Sequence, residues 1–222
     1  MMRTLVWFRG KDLRVADHAP LRDAAEAGEV IPLFVLDPYF FAPARARQLP
    51  RRIQFLLDSL RELEANLADR GSRLLVIAGK SVEVVPRLAR KWNVDRVAAH
   101  RRVEPLGRER DRRVREAPGV RLDLYEGETL LPPGLLRTGG GKPYSVFTAF
   151  ARAFAASAAV GRPLKAPKSL PPPAARRRGE DHGDSELRGA RHHADGRSPR
   201  RWGTGRAGAA PALPRGPRAP VS

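Results

Sequence analysis

The densest set of side chains capable of chemistry lies in one early segment, Leu5 to Leu21, which reads LVWFRGKDLRVADHAPL. An apolar run passes straight into Arg9, Lys11, Asp12 and Arg14, with Asp17 and His18 just beyond. If the run is a strand of a parallel sheet, its carboxyl end faces the ligand crevice, and Arg9 is placed there to hold an acidic ligand group. The same spacing permits a purely structural cluster of Arg9, Asp12, Arg14 and Asp17. Asp12 and Asp17 as paired catalytic carboxylates are a weaker reading than turn and cap roles. Gly79-Lys80-Ser81 follows an apolar run and opens a helical one, where phosphates bind readily. A Walker A loop would need glycine where Leu74 stands, so a plain strand-to-helix turn is the better reading. Gly141-Lys142 fails in turn, because Pro143 occupies the place of the metal-binding hydroxyl. No HExxH or GxSxG is present, no glycine-rich phosphate loop follows the first apolar run, and the chain has no cysteine, which excludes thiolate metal sites and disulfides.

The elements that must position these residues alternate. Leu5–Phe8, Val30–Leu36, Leu74–Ala78, Val97–Ala99 and Val120–Tyr125 have strand character, and the segments between them have helical spacing. The clearest helix is Arg51–Arg70, with Ile53, Leu56, Leu57, Leu60, Leu63 and Leu67 on one face and Gly71 at its stop. Ser81 is suited to cap a helix through Val84, Val85, Leu88 and Trp92. Arg108–Glu116 reads as a charged helix. Strands alternating with helices predict an α/β fold, a Rossmann-like, doubly wound, five-stranded parallel sheet. After Tyr125 come irregular Pro- and Gly-rich turns, then a helix over Val146–Ala159 with Phe147, Phe150 and Phe154 at steps of three and four. Pro163, Pro167 and Pro171–Pro173 predict a stiff, extended connector.

Of 222 residues, 42 are Lys or Arg and 24 are Asp or Glu, a net charge of +18. The excess is divided, +12 before Ala174 and +6 after it. It permits contact with nucleic acid, and Arg enrichment from a GC-rich gene explains it equally well. From Ala174 onward, Ala, Gly, Pro and Arg supply 33 of 49 residues, too few apolar groups for a core. This stretch is expected to be a disordered basic tail. His182, His192 and His193 fall in it without accompanying acids or Cys in a metal-ligand pattern. Permitted codons for Gly179–His192, read one base later, spell an ordinary protein segment, so a frameshift close to Pro173 is expected. No apolar run is long enough to span a membrane. The start lacks a secretory signal, and a cytoplasmic monomer is expected.

In the details of its motifs the chain resembles the DNA photolyase/cryptochrome family, in that family's N-terminal α/β domain. The resemblance rests on Phe8-Arg9, Asp12-Leu13-Arg14 and Asp17-His18. It continues through VLDPYF (Val35–Phe40), PRRIQFL (Pro50–Leu56), GSRLLVIAG (Gly71–Gly79), VEPLGRERD (Val103–Asp111) and GKPYSVFTAFARAF (Gly141–Phe154). Gly10-Lys11 is one residue longer than the usual spacing, and Ala149 stands where proline is usual. The resemblance implies three parts: an antenna domain over 1–132, the start of an interdomain connector with one helix over 133–173, and the tail over 174–222. The family repairs pyrimidine dimers with light, through a catalytic FAD held in a helical domain beyond the reach of this chain. The expectation is therefore a truncated photolyase that binds no catalytic FAD and no damaged DNA specifically. The recovered frame looks like the family's linker. An antenna chromophore (deazaflavin, FMN, FAD or folate) is the expected small-molecule partner. The cofactor-binding residues expected for it are Arg9, Phe34, Leu36, Asp37, Arg52, Phe55 and Glu104. By the resemblance, Asp37, Arg52, Phe55 and Glu104 match positions used for deazaflavin or flavin antennas; an Asp37–Arg52 ion pair is the structural alternative. No catalytic or metal-ligating residue is expected. Two other readings remain, a different nucleotide-binding α/β module and a basic nucleic-acid-binding protein.

Overall fold

The computed structural model describes residues 1–158 and 161–171. The expected basic tail and the last residues of the Pro-rich connector lie outside them. Five parallel strands, β1 (Met2–Phe8), β2 (Gly28–Leu36), β3 (Leu75–Ala78), β4 (Arg96–His100) and β5 (Leu122–Tyr125), form one sheet in the order β3-β2-β1-β4-β5. The order reverses between β1 and β4, and an open parallel sheet has its crevice there, beyond the carboxyl ends.

Helices α1 (Ala19–Ala27), α4 (Pro50–Ala68), α5 (Ser81–Lys91) and α6 (Pro105–Arg115) cover both faces. Alternation along β1 decides which residues go where. Val6 and Phe8 pack with Leu21 and Ala24 of α1 and with Leu60, Leu63 and Leu67 of α4. Leu5 and Trp7 pack with Val84, Val85 and Leu88 of α5 and Val114 of α6. The regularly spaced leucines of α4 thus form the buried stripe, and Gly71 ends the turn at φ +81°. A strand buried on both faces needs no alternation, and β1 and β2 are accordingly apolar almost throughout.

Two short helices were not legible in the sequence, α2 (Pro38–Phe41) and α3 (Pro43–Gln48); neither buries a residue. The Phe-rich helix α7 (Phe147–Ser157) forms as expected, but no residue of it is buried, and Phe147 is 80 % exposed. The connector departs from a free spacer. It returns across the domain: Asp17 N–H donates to Leu164 O (2.7 Å), Leu170 N–H to Arg70 O (2.7 Å) and Arg70 Nε to Pro167 O (3.1 Å). Leu170 is 3 % exposed and joins the cluster of Leu67 and Leu74.

Candidate functional site at the carboxyl edge of the sheet

Three loops meet at the crevice, those leaving β1, β2 and β4. Arg9 continues the Leu5-Trp7 side of β1, so it turns toward α6. Its guanidinium stacks over Trp7 at 4.1 Å, and Nη1 lies 2.9 Å from Asp111 Oδ1 and 3.1 Å from Oδ2. Both side chains are almost fully buried. Arg110 lies over the same indole at 5.3 Å. Burial, then the charge of Arg9, pulls its pKa down to about 10, so it remains a cation at neutral pH. Arg9 therefore sits beneath the crevice as a buried charge on Asp111, rather than at its mouth. The alternative cluster of Arg9, Asp12, Arg14 and Asp17 forms only in part: Arg14 reaches Asp17 at 3.7 Å, and Asp12 accepts the Arg9 backbone N–H at 2.6 Å. Asp111 shares the buried face of α6 with Gly107 and Val114. That acid at i+4 and i−3 from buried positions was the available signal.

Asp12 Oδ2 also meets His100 Nδ1 at 3.1 Å and lies 3.9 Å from His18 Nε2. These three buried residues have ligand atoms within 4.8 Å of one another, a geometry to test for a metal. The tautomer argues against it. His18 Nδ1 accepts the Leu21 backbone N–H at 3.1 Å and so caps α1; a neutral ring then carries its proton on Nε2, which leaves no lone pair there for a cation. Asp12 and His100 share a buried hydrogen bond, and the His18 Nε2 edge lies beside it at 3.9 Å without a hydrogen-bond partner among the described residues. Burial drives the His18 pKa down to about 3, opposed by Asp12. For Asp12, burial opposes ionisation, but the hydrogen bond to His100 and the proximity of His18 hold its pKa below the usual range.

Asp37 ends β2 and performs a double cap. Oδ1 accepts Tyr39 N–H at 3.1 Å, and Oδ2 accepts both Ser81 N–H (3.0 Å) and Ser81 Oγ–H (2.9 Å). Burial would raise its pKa, and the hydrogen bonds from Ser81 and Tyr39 outweigh that and lower it. This corrects the expected role of Ser81: it is the first residue of α5, and its hydroxyl serves Asp37 instead of capping its own helix. The physical reason is reach, since Asp37 from the neighbouring strand already satisfies the first amide.

Phe34 is buried and meets Phe41 edge-on at 6.5 Å, and half-buried Leu36 packs on the same cluster. Arg52 is exposed and forms no ion pair among the described residues, with Asp37 or any other acid. Phe55 is 75 % exposed. A Cβ on Gly10 would lie 3.9 Å from Leu56, so the first turns of α4 overlie the loop after β1. Glu104 stands on the other side, bonded to Lys11 and, at 3.3 Å, to Arg102. Lys11 also meets Glu128 at 2.7 Å, and Glu128 accepts Val103 N–H at 3.0 Å. These ion pairs tie the β1 and β4 loops together, and lower the Glu104 pKa chiefly through Lys11. Phe34 and Leu36 thus share an apolar cluster with Leu56 of α4, Asp37 is tied to the starts of α2 and α5, and Glu104 is tied to Lys11 and Arg102. Asp111, His100 and Glu128 were missed in the sequence reading.

Among known proteins, the model of the family described as DNA photolyase matches residues 4–173 of this chain. The chain is 41 % identical over 167 residues to a deoxyribodipyrimidine photo-lyase of Thermus thermophilus, covering 75 % of this chain and 36 % of that protein. It is 34 % identical to the (6-4)DNA photolyase of Arabidopsis thaliana, covering 76 % and 33 %. Among solved structures, a bacterial class III photolyase from Agrobacterium tumefaciens superposes with a TM-score of 0.68 at 31 % identity, over 79 % of this chain and 36 % of that one. The archaeal photolyase from Sulfolobus tokodaii, solved with two FAD molecules and described as implicating a novel light-harvesting cofactor, gives 0.64 at 29 % identity, over 77 % and 38 %. The chain spans about a third of the length of the relatives it matches.

Proposed function

Because the chain belongs to the DNA photolyase family, we propose that its folded part is an antenna domain. Its ligand is a planar, light-absorbing chromophore of the flavin, deazaflavin or folate class. The chromophore lies at the carboxyl edge of the sheet against the start of α4. The observation that supports this most directly is the combination of Arg52, exposed and without an ion pair among the described residues, with Phe55, 75 % exposed, on the helix that overlies the β1 loop. An apolar wall with a few convergent polar groups is what such a ligand requires. Phe34 and Leu36 supply the apolar floor. Phe55 supplies a ring face for stacking and Arg52 an N–H donor to a ring carbonyl or anionic group. Asp37 and Glu104 contribute acceptor lone pairs beyond those used by Ser81, Tyr39 and Lys11, and Arg9, paired with Asp111, braces the loop from below.

A bound chromophore would supply absorption and the transfer of excitation energy; the residues named here orient and desolvate it. The Sulfolobus structure with two FAD molecules supports a flavin as the first candidate. On this reading the light-driven lyase activity borne by the names of the relatives resides in the two thirds of their length that this chain does not match. The isolated chain then binds no catalytic FAD and repairs no dimers. Residues 1–132 form the antenna domain and 133–173 the beginning of the connector. The stretch after Pro173 arises from a frameshift, a proposal supported by the end of the family match at residue 173. Among the described residues no helix is long and apolar enough to cross a membrane; a cytoplasmic monomer is the working assignment.

Fluorescence titration with FMN, riboflavin, a deazaflavin and a reduced folate tests the site. A charge-assisted contact is worth roughly 1.5–3 kcal/mol, so Arg52→Ala should weaken binding about ten- to a hundredfold. Absence of saturable binding by any of these to well-folded protein would refute the antenna reading. Equal affinities of wild type and variant would remove Arg52 alone. Reading the gene in all three frames beyond the Pro173 codon tests the frameshift: it requires an open continuation resembling a helical FAD domain.

A further inference from the structure

Between Pro38 and Leu57 the chain carries four arginines, Arg45, Arg47, Arg51 and Arg52, and no acidic residue. All four side chains are exposed, and none forms an ion pair among the described residues. Several exposed arginines elsewhere on the surface behave differently: Arg22 pairs with Glu26, Arg61 with Asp58, Arg101 with Glu126, and Arg112 with Glu109 and Glu116. Exposed aromatic rings lie in the same short stretch. Tyr39 is 48 % and Phe40 43 % exposed, and their rings meet edge-on at 4.9 Å. The Arg45 guanidinium lies over the Tyr39 ring, 4.3 Å from its centroid.

We propose that Tyr39, Phe40, Arg45, Arg47 and Arg51 form a binding surface for single-stranded nucleic acid. Cations that follow a phosphate backbone, beside exposed rings on which unpaired bases stack, are the parts such a surface needs. The Arg45–Tyr39 stack holds a phosphate-binding fork and a base-stacking ring in one fixed unit, which lowers the ordering cost of binding. Arg51 lies in the first turn of α4, which has no side-chain cap and no acid. The positive end of the helix dipole opposes a cation there, and a backbone phosphate relieves that opposition. Flat, exposed rings favour an unpaired strand over a duplex, whose bases are already stacked. Arg52 and Phe55 are left to the chromophore, so the two surfaces are adjacent but separable.

The test is fluorescence anisotropy with a labelled oligothymidylate of about 12 nucleotides, within the usual site sizes for such surfaces, and the full 222-residue chain across a salt series. The Arg-rich stretch after Pro173 is kept in every protein, so its contribution is constant. For single strands the slope of log K against log salt is about −0.7 per phosphate contacted. Arg45→Ala/Arg47→Ala should therefore reduce the slope by about 1.4, whereas Arg22→Ala/Arg61→Ala, the same loss of charge from paired positions, should leave it unchanged. Tyr39→Ala should weaken binding about five- to a hundredfold by loss of stacking, and Tyr39→Phe should retain it. All these positions are exposed, and an unchanged thermal melt confirms the fold. Equal slopes for both double variants, or a duplex of the same length that competes as well as the single strand, would overturn the proposal. Saturating FMN serves as the separating arm: loss of flavin binding with intact oligonucleotide binding removes only the antenna reading.

Discussion

Replacing His18 by Asn should make the protein markedly less sensitive to acid. The His18 ring is fully buried between Phe8 and His100, with centroids 4.6 and 4.5 Å away, and caps α1 through Nδ1. Its pKa in the fold is about 3, against 6.5 for the free side chain, with burial the main cause. The unfolded chain therefore binds a proton near pH 6.5 that the native state refuses. Stability from this group is complete above about pH 6.5 and falls as the pH drops toward about 3, by about 1.4 kcal/mol per pH unit. Between about pH 7 and about pH 4.5 the loss is about 2.5 kcal/mol. Asp12 interferes little in that window. Its native pKa lies below the free value of 3.8, so its contribution is present above that value and is lost only at lower pH. Asn keeps a side-chain oxygen for the Leu21 amide and cannot titrate. Its smaller volume lowers stability at both pH values alike. Urea denaturation of both proteins at these two pH values, followed by far-ultraviolet circular dichroism, measures the difference. The drop should be smaller in His18→Asn by about 2.5 kcal/mol. The same drop in both proteins would refute the assignment of a neutral, buried His18.

Asp111→Ala leaves the Arg9 guanidinium buried without its carboxylate and should cost about 3–5 kcal/mol in chemical denaturation. Asp37→Ala removes the acceptor for two helix amides and the Ser81 hydroxyl; a loss of about 1–3 kcal/mol is expected, with Asp37→Asn in between. Leu170→Ala should lower the unfolding free energy by about 2–5 kcal/mol, a result no flexible linker would give. Phe147→Ser, at an exposed position, should stay within about 0.5 kcal/mol of wild type.

The apolar periodicities carried the fold. Leu60, Leu63 and Leu67 fall on one helical face, and the runs ending at Phe8 and Leu36 are too continuous for anything but strands buried on both sides. The strand ends were less legible: β1 and β2 begin two or three residues earlier than the apolar runs, because ladder bonding continues past the core. The site was legible in the Arg9-to-Asp17 segment and, through family resemblance, at Asp37, Arg52, Phe55 and Glu104. Its wiring was not. Arg9 finds Asp111 across 102 positions, His100 finds Asp12 across 88, and Ser81 finds Asp37 across 44. No local pattern encodes such pairings; the first two exist only once β4 and α6 have been set beside β1, and the third only once β3 has paired with β2. Arg9 was read as facing a ligand because strand alternation alone gives its side of the sheet, without the helix that covers it.

The return of residues 161–171 across the domain has a consequence for synthesis on the ribosome. The central strand, β1, emerges first, but its neighbour β4 arrives only with residues 96–100, and the patch beside Leu67 and Leu74 receives Leu170 later still. Vectorial synthesis exposes each part in turn, and a unit folds when its last contact is available. A nascent chain paused after α7 has every strand and helix found among the described residues, yet presents an uncovered apolar seam to chaperones. The ribosome must deliver the strap before that seam closes.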